Sequence, residues 1–502
     1  MTTEGLPKIA AVALACGLLV ANGCASPLPL NRTWIEVESD HFSVTSDMSV
    51  EETANLASTL ELFRASVLAL TNVRSLESRV PTRVFLFDDV HSFRLFQPQK
   101  GILGFLHPTI RANFIAIFDS KHVETKRILR HEFVHFLLRN GSARIYPRWY
   151  DEGFAELLST ADVQGEFVEV GAIPRDRLRW LQHGAWIPIR GILDYDGSQR
   201  WSDDQITMFY AESWALLHFL ARDLAHVKAL GSSIETFLAR AEAGATTDEA
   251  CREAFGMGLD DLDREVRRYL DDGPFTLFGV PTRKLQWSEK VRARALSRAE
   301  VAEQLGEFAL STGDVATADR LFRAALADEP DRVRSHAGLG DVLKSKRLWP
   351  EAEQHFARAV ELSPDDPLNQ LDLGEYWVTR ARTMEDPETR HDLLRRARRH
   401  IVRSYELDDS KPEPYAVYGA SFLEEGEDPS KGVETLEHAR RLLPSSTDIQ
   451  LVLANAYIRV GRDEDAQPIL KRIVAWTHES PGRARARELL NQIDGTSGEA
   501  ER

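Results

Sequence analysis

A chain of 502 residues is too long for a single hydrophobic core and implies two or more domains. Hydrophobic residues at 43% and charged residues at 28% are ordinary for globular domains and exclude a fully disordered chain. The net charge of −16 speaks against nucleic acid as a partner, and no Lys/Arg patch interleaved with aromatics reverses that expectation.

Residues 1–24 read as a signal peptide. Lys8 precedes an apolar run, Ile9 to Val20, too short to span a bilayer comfortably. The run ends in Ala21-Asn22-Gly23-Cys24, which resembles a bacterial lipobox, where small residues precede a cysteine that is diacylated after cleavage. Asn22 is not the usual residue there and Ala21 replaces the favoured leucine, so an ordinary secretory signal is the alternative. Either route exports the protein. The expected location is the bacterial cell envelope, facing the periplasm, with lipid chains on Cys24 as the membrane tether. Losing Cys16 and lipidating Cys24 leaves Cys251, so no intramolecular disulfide is expected. Nothing beside Cys251 (Glu249, Ala250, Arg252, Glu253) marks it as a nucleophile.

Residues 25–275 are expected to form one α+β domain. Phe42–Thr45 and Arg83–Phe87 carry strand patterns and flank a helical stretch from Val50 to about Leu70. Asn113–Phe118 is a β-rich apolar run, either an edge strand or a buried one. Behind it comes His131-Glu132-Phe133-Val134-His135. Two histidines four apart share one helix face, so both imidazoles can hold one Zn²⁺ while Glu132 serves as general base. Catalytic zinc sites take three protein ligands and keep the fourth position open. Glu152 follows His135 by 17 residues, room for a helix stop at Arg139-Asn140-Gly141-Ser142 and a new helix after Tyr146-Pro147. Glu156 lies one turn beyond Glu152 and is placed to accept the outer N–H of His131, with Gly153 allowing close approach of the two helices.

The pair HEFVH and DEGFAE resembles the gluzincin zinc peptidases of the thermolysin and aminopeptidase N lineage. By that resemblance His131, His135 and Glu152 are the metal ligands, Glu132 the base and Glu156 the carboxylate behind a ligand. Phe209-Tyr210-Ala211-Glu212-Ser213 is similar to the aminopeptidase segment whose tyrosine hydrogen-bonds the oxyanion, which nominates Tyr210; the alternative is a core tyrosine on an amphipathic helix. The aminopeptidase Gly-x-Met-Glu-Asn segment is missing: Lys100–Leu106 has no acidic residue, which points away from aminopeptidase specificity and toward an endopeptidase. In gluzincins an edge strand pairs with extended substrate, the role that Asn113–Phe118 would take. The chain most resembles the bacterial peptidase-MA-like proteins, which join such a domain to tetratricopeptide repeats.

Residues 276–298 are expected to be a linker, with Gly/Pro content and enough apolar residues to dock. Residues 299–480 are expected to form an all-α tetratricopeptide solenoid. Leu305-Gly306, Ala318, Phe322, Ala325 and Pro330 recur 34 residues later as Leu339-Gly340, Ala352, Phe356, Ala359 and Pro364. A third unit starts at Leu373-Gly374 with an insertion around Met384–Asp392, a fourth runs from Tyr415 to Pro444, and a fifth contains Ala454 and Tyr457. Arg395–Arg399 is read as a solvated face or a clamp for an acidic peptide, and residues 481–502 as a flexible tail. Two functions are expected from these parts. One is a membrane-tethered zinc endopeptidase acting on peptide or protein substrates, with the repeats recruiting substrate or a protein partner. The other is a non-catalytic envelope scaffold with a structural zinc site and peptide-binding repeats.

Overall fold

Alternating side chains in the first third of the chain sort onto the two faces of one sheet. The computed structural model describes residues 27–70, 80–97, 104–118, 123–141, 146–195, 197, 199–222, 224–273, 275, 277–476 and 481–500. The expected signal peptide with Cys24 lies outside them, as do the first residues of Lys100–Leu106. Strands β1 (Ile35–Glu38) and β2 (Phe42–Ser46) form a hairpin, and α1 (Val50–Leu70) crosses to β3 (Thr82–Phe87). A short α2 (Val90–Arg94) leads to the hairpin of β4 (Gly104–Pro108) and β5 (Asn113–Phe118). Then come α3 (Val123–Gly141), α4 (Arg148–Ser159), β6 (Asp162–Gln164), β7 (Phe167–Val170) and α5 (Arg175–His183). The helices α6 (Ile189–Leu193), α7 (Asp203–Ala221), α8 (Leu224–Glu242), α9 (Thr247–Phe255) and α10 (Leu259–Asp272) follow. Last come β8 (Phe278–Pro281) and β9 (Arg292–Ala295).

The main sheet has the order β4-β5-β3-β2-β1-β9, with β2, β3 and β5 parallel and the other three pairings antiparallel. Val37, Val44, Val84, Leu86, Ile115 and Ile117 point to one face, where α1 and α3 cover them with Leu60, Phe63, Phe133 and Leu137. Their neighbours Phe85, Phe87, Phe114 and Ala116 point to the other. Two expectations are resolved here. Asn113–Phe118 is not an edge strand: β5 lies between β3 and β4, and β4 is the edge, because Gly104–Pro108 supplies a second strand that pairs with it. Residues 276–298, expected to be a linker that docks, do so as strands: β8 pairs with β7 and β9 with β1.

Among the described residues five helix pairs follow: α11 (Arg298–Ser311) with α12 (Val315–Asp328), α13 (Val333–Ser345) with α14 (Trp349–Leu362), α15 (Pro367–Ala381) with α16 (Pro387–Leu407), α17 (Pro412–Ala420) with α18 (Ser430–Leu442), and α19 (Thr447–Arg459) with α20 (Asp463–Trp476). The recurring glycine explains the repeat. A Cβ at Gly306 would come within 2.8 Å of Phe322, at Gly340 within 2.9 Å of Phe356, and at Gly374 within 2.6 Å of Ile401, so the first helix of each pair must stay bare where the second inserts its large side chain. The insertion expected around Met384–Asp392 lengthens the second helix of the third pair, capped by Asp386 accepting from the Thr389 N–H at 2.8 Å. In the basic cluster Arg395, Arg396 and Arg399 are exposed, as a solvated face requires, while Arg398 is mostly covered; Arg396 and Arg398 each stack at 3.7 Å over a ring, Trp377 and Phe422 respectively.

The expected tail is a helix, α21 (Pro481–Ala500), whose Ala486, Leu489 and Ile493 form a stripe buried against Leu453, Tyr457, Ile469 and Ile473. Its Gly/Ser/Glu-rich end obscures that helical spacing in the sequence. The array does not stand apart from the first domain. Phe308 of α11 stacks on Phe85 (4.6 Å between centroids) and lies 5.4–5.9 Å from Phe96, Phe105 and Phe114, on the sheet face opposite α1 and α3. Gln304 and Glu307, on the same side of α11, bond Thr45 and Arg83 at 2.5 Å each. No helix among the described residues is long and apolar enough to cross a membrane.

Candidate metal centre

The centre is built by three helices that bury different amounts of themselves. In α3, Leu129, Phe133, Phe136 and Leu137 face the core at helical spacing, which turns His131 and His135 to the opposite side. In α4 every residue from Trp149 to Ser159 is buried, so Asp151, Glu152 and Glu156 are carboxylates held away from water. Buried carboxylates need partners, and the donors that satisfy them define the site. The third helix, α7, crosses α4 at Gly153, where a Cβ would sit 2.4 Å from the Ser213 carbonyl oxygen. The close approach made possible by Gly153 is therefore to α7 and not to α3. It sets Tyr210, one turn before Ser213, beside Glu152: the phenol oxygen is 3.4 Å from Glu152 Oε1.

His131 Nε2, His135 Nε2 and Glu152 Oε2 form a triangle with edges of 3.1, 3.3 and 3.4 Å. Donors placed tetrahedrally at about 2.0–2.1 Å from one zinc ion are about 3.3–3.4 Å apart, so the triangle has the size of one face of such a coordination sphere. Two imidazoles and one carboxylate are also the donor set that suits zinc. Behind the triangle, Asp151 Oδ1 lies 2.9 Å from His135 Nδ1. Glu156 Oε1 lies 3.5 Å from His131 Nδ1, and its shorter contacts go to Arg177 (2.7 Å) and Arg127 (3.1 Å). The local field favours a cation. Burial opposes a charged His135, yet the Asp151 and Glu152 carboxylates outweigh it and lift the ring to about 10. Burial pushes the Tyr210 phenol up, the Glu152 carboxylate adds to this, and the hydroxyl stays a donor.

The structure thus gathers His131, His135, Glu152, Glu156 and Tyr210 within one site, with Glu132 partly exposed on α3 next to His131. Asp151, Arg127 and Arg177 were not singled out by sequence reasoning. Adjacency to Glu152 was the available signal for Asp151; the two arginines carry none, since they arrive from α3 and α5. Glu212, buried two residues after Tyr210, accepts the Ile187 N–H at 2.7 Å, and burial pushes it up to about 9. Cys251 is also buried, and its thiol is pushed up to about 12, which suits a packing residue.

Residues 303–367 and 423–494 match family models of the tetratricopeptide repeat. No curated protein matches the chain. Among solved structures it is similar to a thermophilic tetratricopeptide-repeat protein of Thermus thermophilus, at 21% identity over 38% of this chain and 98% of that one, with a TM-score of 0.36. It is also similar to pilF of Pseudomonas aeruginosa, at 15% identity over 41% and 97% with a TM-score of 0.32. A third is YrrB, a tetratricopeptide protein with an unusual peptide-binding site, at 16% over 38% and 92% with a TM-score of 0.27. The family matches show that the chain carries a C-terminal array of tetratricopeptide repeats.

Proposed function

We propose that the chain joins a partner-binding array to a zinc-dependent peptide hydrolase of the gluzincin type. The donor triangle of His131, His135 and Glu152 carries this reading. A zinc ion held there supplies Lewis acidity and a water acidified toward neutral pH. His131 Nε2, His135 Nε2 and Glu152 Oε2 would hold it. Asp151 orients the His135 ring through Nδ1, and Glu156, held by Arg127 and Arg177, stands behind His131. Glu132 takes the proton of the attacking water and returns it to the leaving amine. Tyr210 donates its O–H to the oxyanion as charge develops. The edge strand β4, packed against α3, offers backbone groups to an extended substrate; its other neighbour among the described strands is β5 alone. Export to the envelope, with a lipid tether on Cys24, belongs to the same proposal.

A second reading has its own support. The family matches fall on the repeats, an architecture that binds protein or peptide partners, and they support a scaffold role; in that reading the protein acts in the envelope without catalysis and any metal serves structure only. One experiment separates the two: metal content and hydrolysis of a mixed peptide library, on the chain from residue 25, beside Glu132→Gln and Glu152→Ala. The hydrolase predicts one zinc per chain, cleavage lost in Glu132→Gln with zinc retained, and zinc lost in Glu152→Ala. Zinc without cleavage in the parent supports the scaffold. A folded parent that binds no zinc overturns both metal readings.

A further inference from the structure

The turn between β4 and β5 leaves the sheet and meets the array at α15 and α17. Thr109 stiffens it: its hydroxyl donates to the Ala112 carbonyl at 2.8 Å and accepts the N–H groups of Arg111 and Ala112 at 3.2 and 3.0 Å. This turn presents Ile110 and Arg111. Each of the three guanidinium nitrogens of Arg111 meets a different carboxylate: Nε with Glu413 at 2.7 Å, Nη1 with Asp372 at 2.6 Å and Nη2 with Glu375 at 2.9 Å. Asp372 and Glu375 are one turn apart on α15, and Glu413 opens α17, so two consecutive first helices build the cage. The first helices touch one another on either side of the cage, α11 with α13 and α13 with α15 before it and α17 with α19 after it, and the Arg111 side chain bridges α15 to α17. Ile110 packs beside the cage against Ala416, Ala439, Leu443 and Ile449.

The electrostatics make the cage a receptor. Asp372 also holds Arg334 at 2.9 Å and Glu375 also attracts Lys344, while Arg111 hydrogen-bonds both Glu375 and Glu413. Asp372 and Glu413 are buried, and gathered carboxylates taken from water are costly without a cation between them. Three acceptors spread around the edge of a planar fork match the spaced donors of a guanidinium, whereas an ammonium radiates its three N–H groups from a single nitrogen. The inner face of a repeat array is where extended segments bind, and here the segment comes from the same chain.

We propose that this face is a receptor for a segment bearing an apolar residue followed by arginine, and that the β4–β5 turn is its resident, displaceable occupant. A protein partner of that chemistry competes with Arg111 for the cage, and its binding releases the end of the edge strand that packs on α3. Because a tethered occupant acts at an effective concentration of the order of millimolar, the partner must add contacts beyond the cage. The proposal is independent of whether the metal centre hydrolyses anything.

The test uses the full chain and a fluorescent peptide copying residues 107–114, His-Pro-Thr-Ile-Arg-Ala-Asn-Phe. Arg111→Ala empties the cage and is expected to bind this peptide about ten-fold or more tighter than the parent. A peptide with alanine in place of its arginine is expected to lose that gain. A folded Arg111→Ala protein that binds neither peptide, or both equally, overturns the proposal. If Arg111→Ala does not fold, hydrogen exchange of the parent decides: millimolar peptide is expected to speed exchange across residues 104–118, and unchanged exchange overturns the proposal.

Discussion

The two faces of the main sheet are built from the same strands yet do different work. On one face Val84, Leu86, Ile115 and Ile117 support α1 and α3, and through α3 the histidine pair. On the other, Phe85 and Phe114 receive Phe308 from a helix far along the chain. The first face is closed by segments near it in sequence and holds a site. The second is closed by the array and turns two modules into one body, with Arg111 and the Arg472–Glu242 pair (3.7 Å) as further points of attachment. A repeat array in such a position is a brace as well as a binding surface.

Truncating each face in turn breaks this comparison most directly. Phe308→Ala removes a ring stacked among Phe85, Phe96, Phe105 and Phe114 and should cost about 3–5 kcal/mol, separating thermal unfolding of the array from that of the sheet while metal binding persists. Phe133→Ala, beneath the histidines and between Phe42 and Phe63, should cost a similar amount but abolish metal binding first; calorimetry with and without zinc distinguishes the two. Next is Gly153→Ala, whose Cβ meets the Ser213 backbone: overpacking of about 1–3 kcal/mol is expected, and a displaced Tyr210 should lower hydrolysis more than metal affinity. Asp151→Asn keeps the shape but weakens the support of His135, for an expected loss of about 10–100-fold in zinc affinity by competition titration.

The last effect is read as a slope, not as a single loss. Glu212 has its pKa raised by burial to about 9 from 4.5, so the folded state holds a proton that the unfolded state releases. That stabilisation is fully present below 4.5 and is lost as pH rises to about 9, at about 1.4 kcal/mol per pH unit. Glu212→Gln should therefore flatten the fall of melting temperature across this window. An unchanged slope would place the buried proton elsewhere.

Particular residues show what could be seen in advance. The histidine pair, Glu132 and Glu152 were legible because their geometry is local: one helical turn, a stop at Gly141 and a new helix at Arg148. The array was legible because each of its units solves the same packing problem with the same glycine and large side chain, as Gly306 with Phe322 and Gly340 with Phe356 do. Asn113–Phe118 was ambiguous, since an apolar run is compatible with an edge or a central strand until a second strand is placed beside it. The helix at 481–500 was hidden by its composition, although Ala486, Leu489 and Ile493 keep helical spacing.

By itself, then, the sequence determined the elements whose causes lie within about one or two turns: the histidine spacing, the helix ends and the repeat. Only the tertiary structure decided that β4 is the edge among the described strands, that Gly153 answers to α7, that Asp151 stands behind His135 while Arg127 and Arg177 hold Glu156, and that Arg111 fills a cage on the array. Those facts depend on contacts between residues far apart in the chain, and no local periodicity records which buried charge will meet which partner.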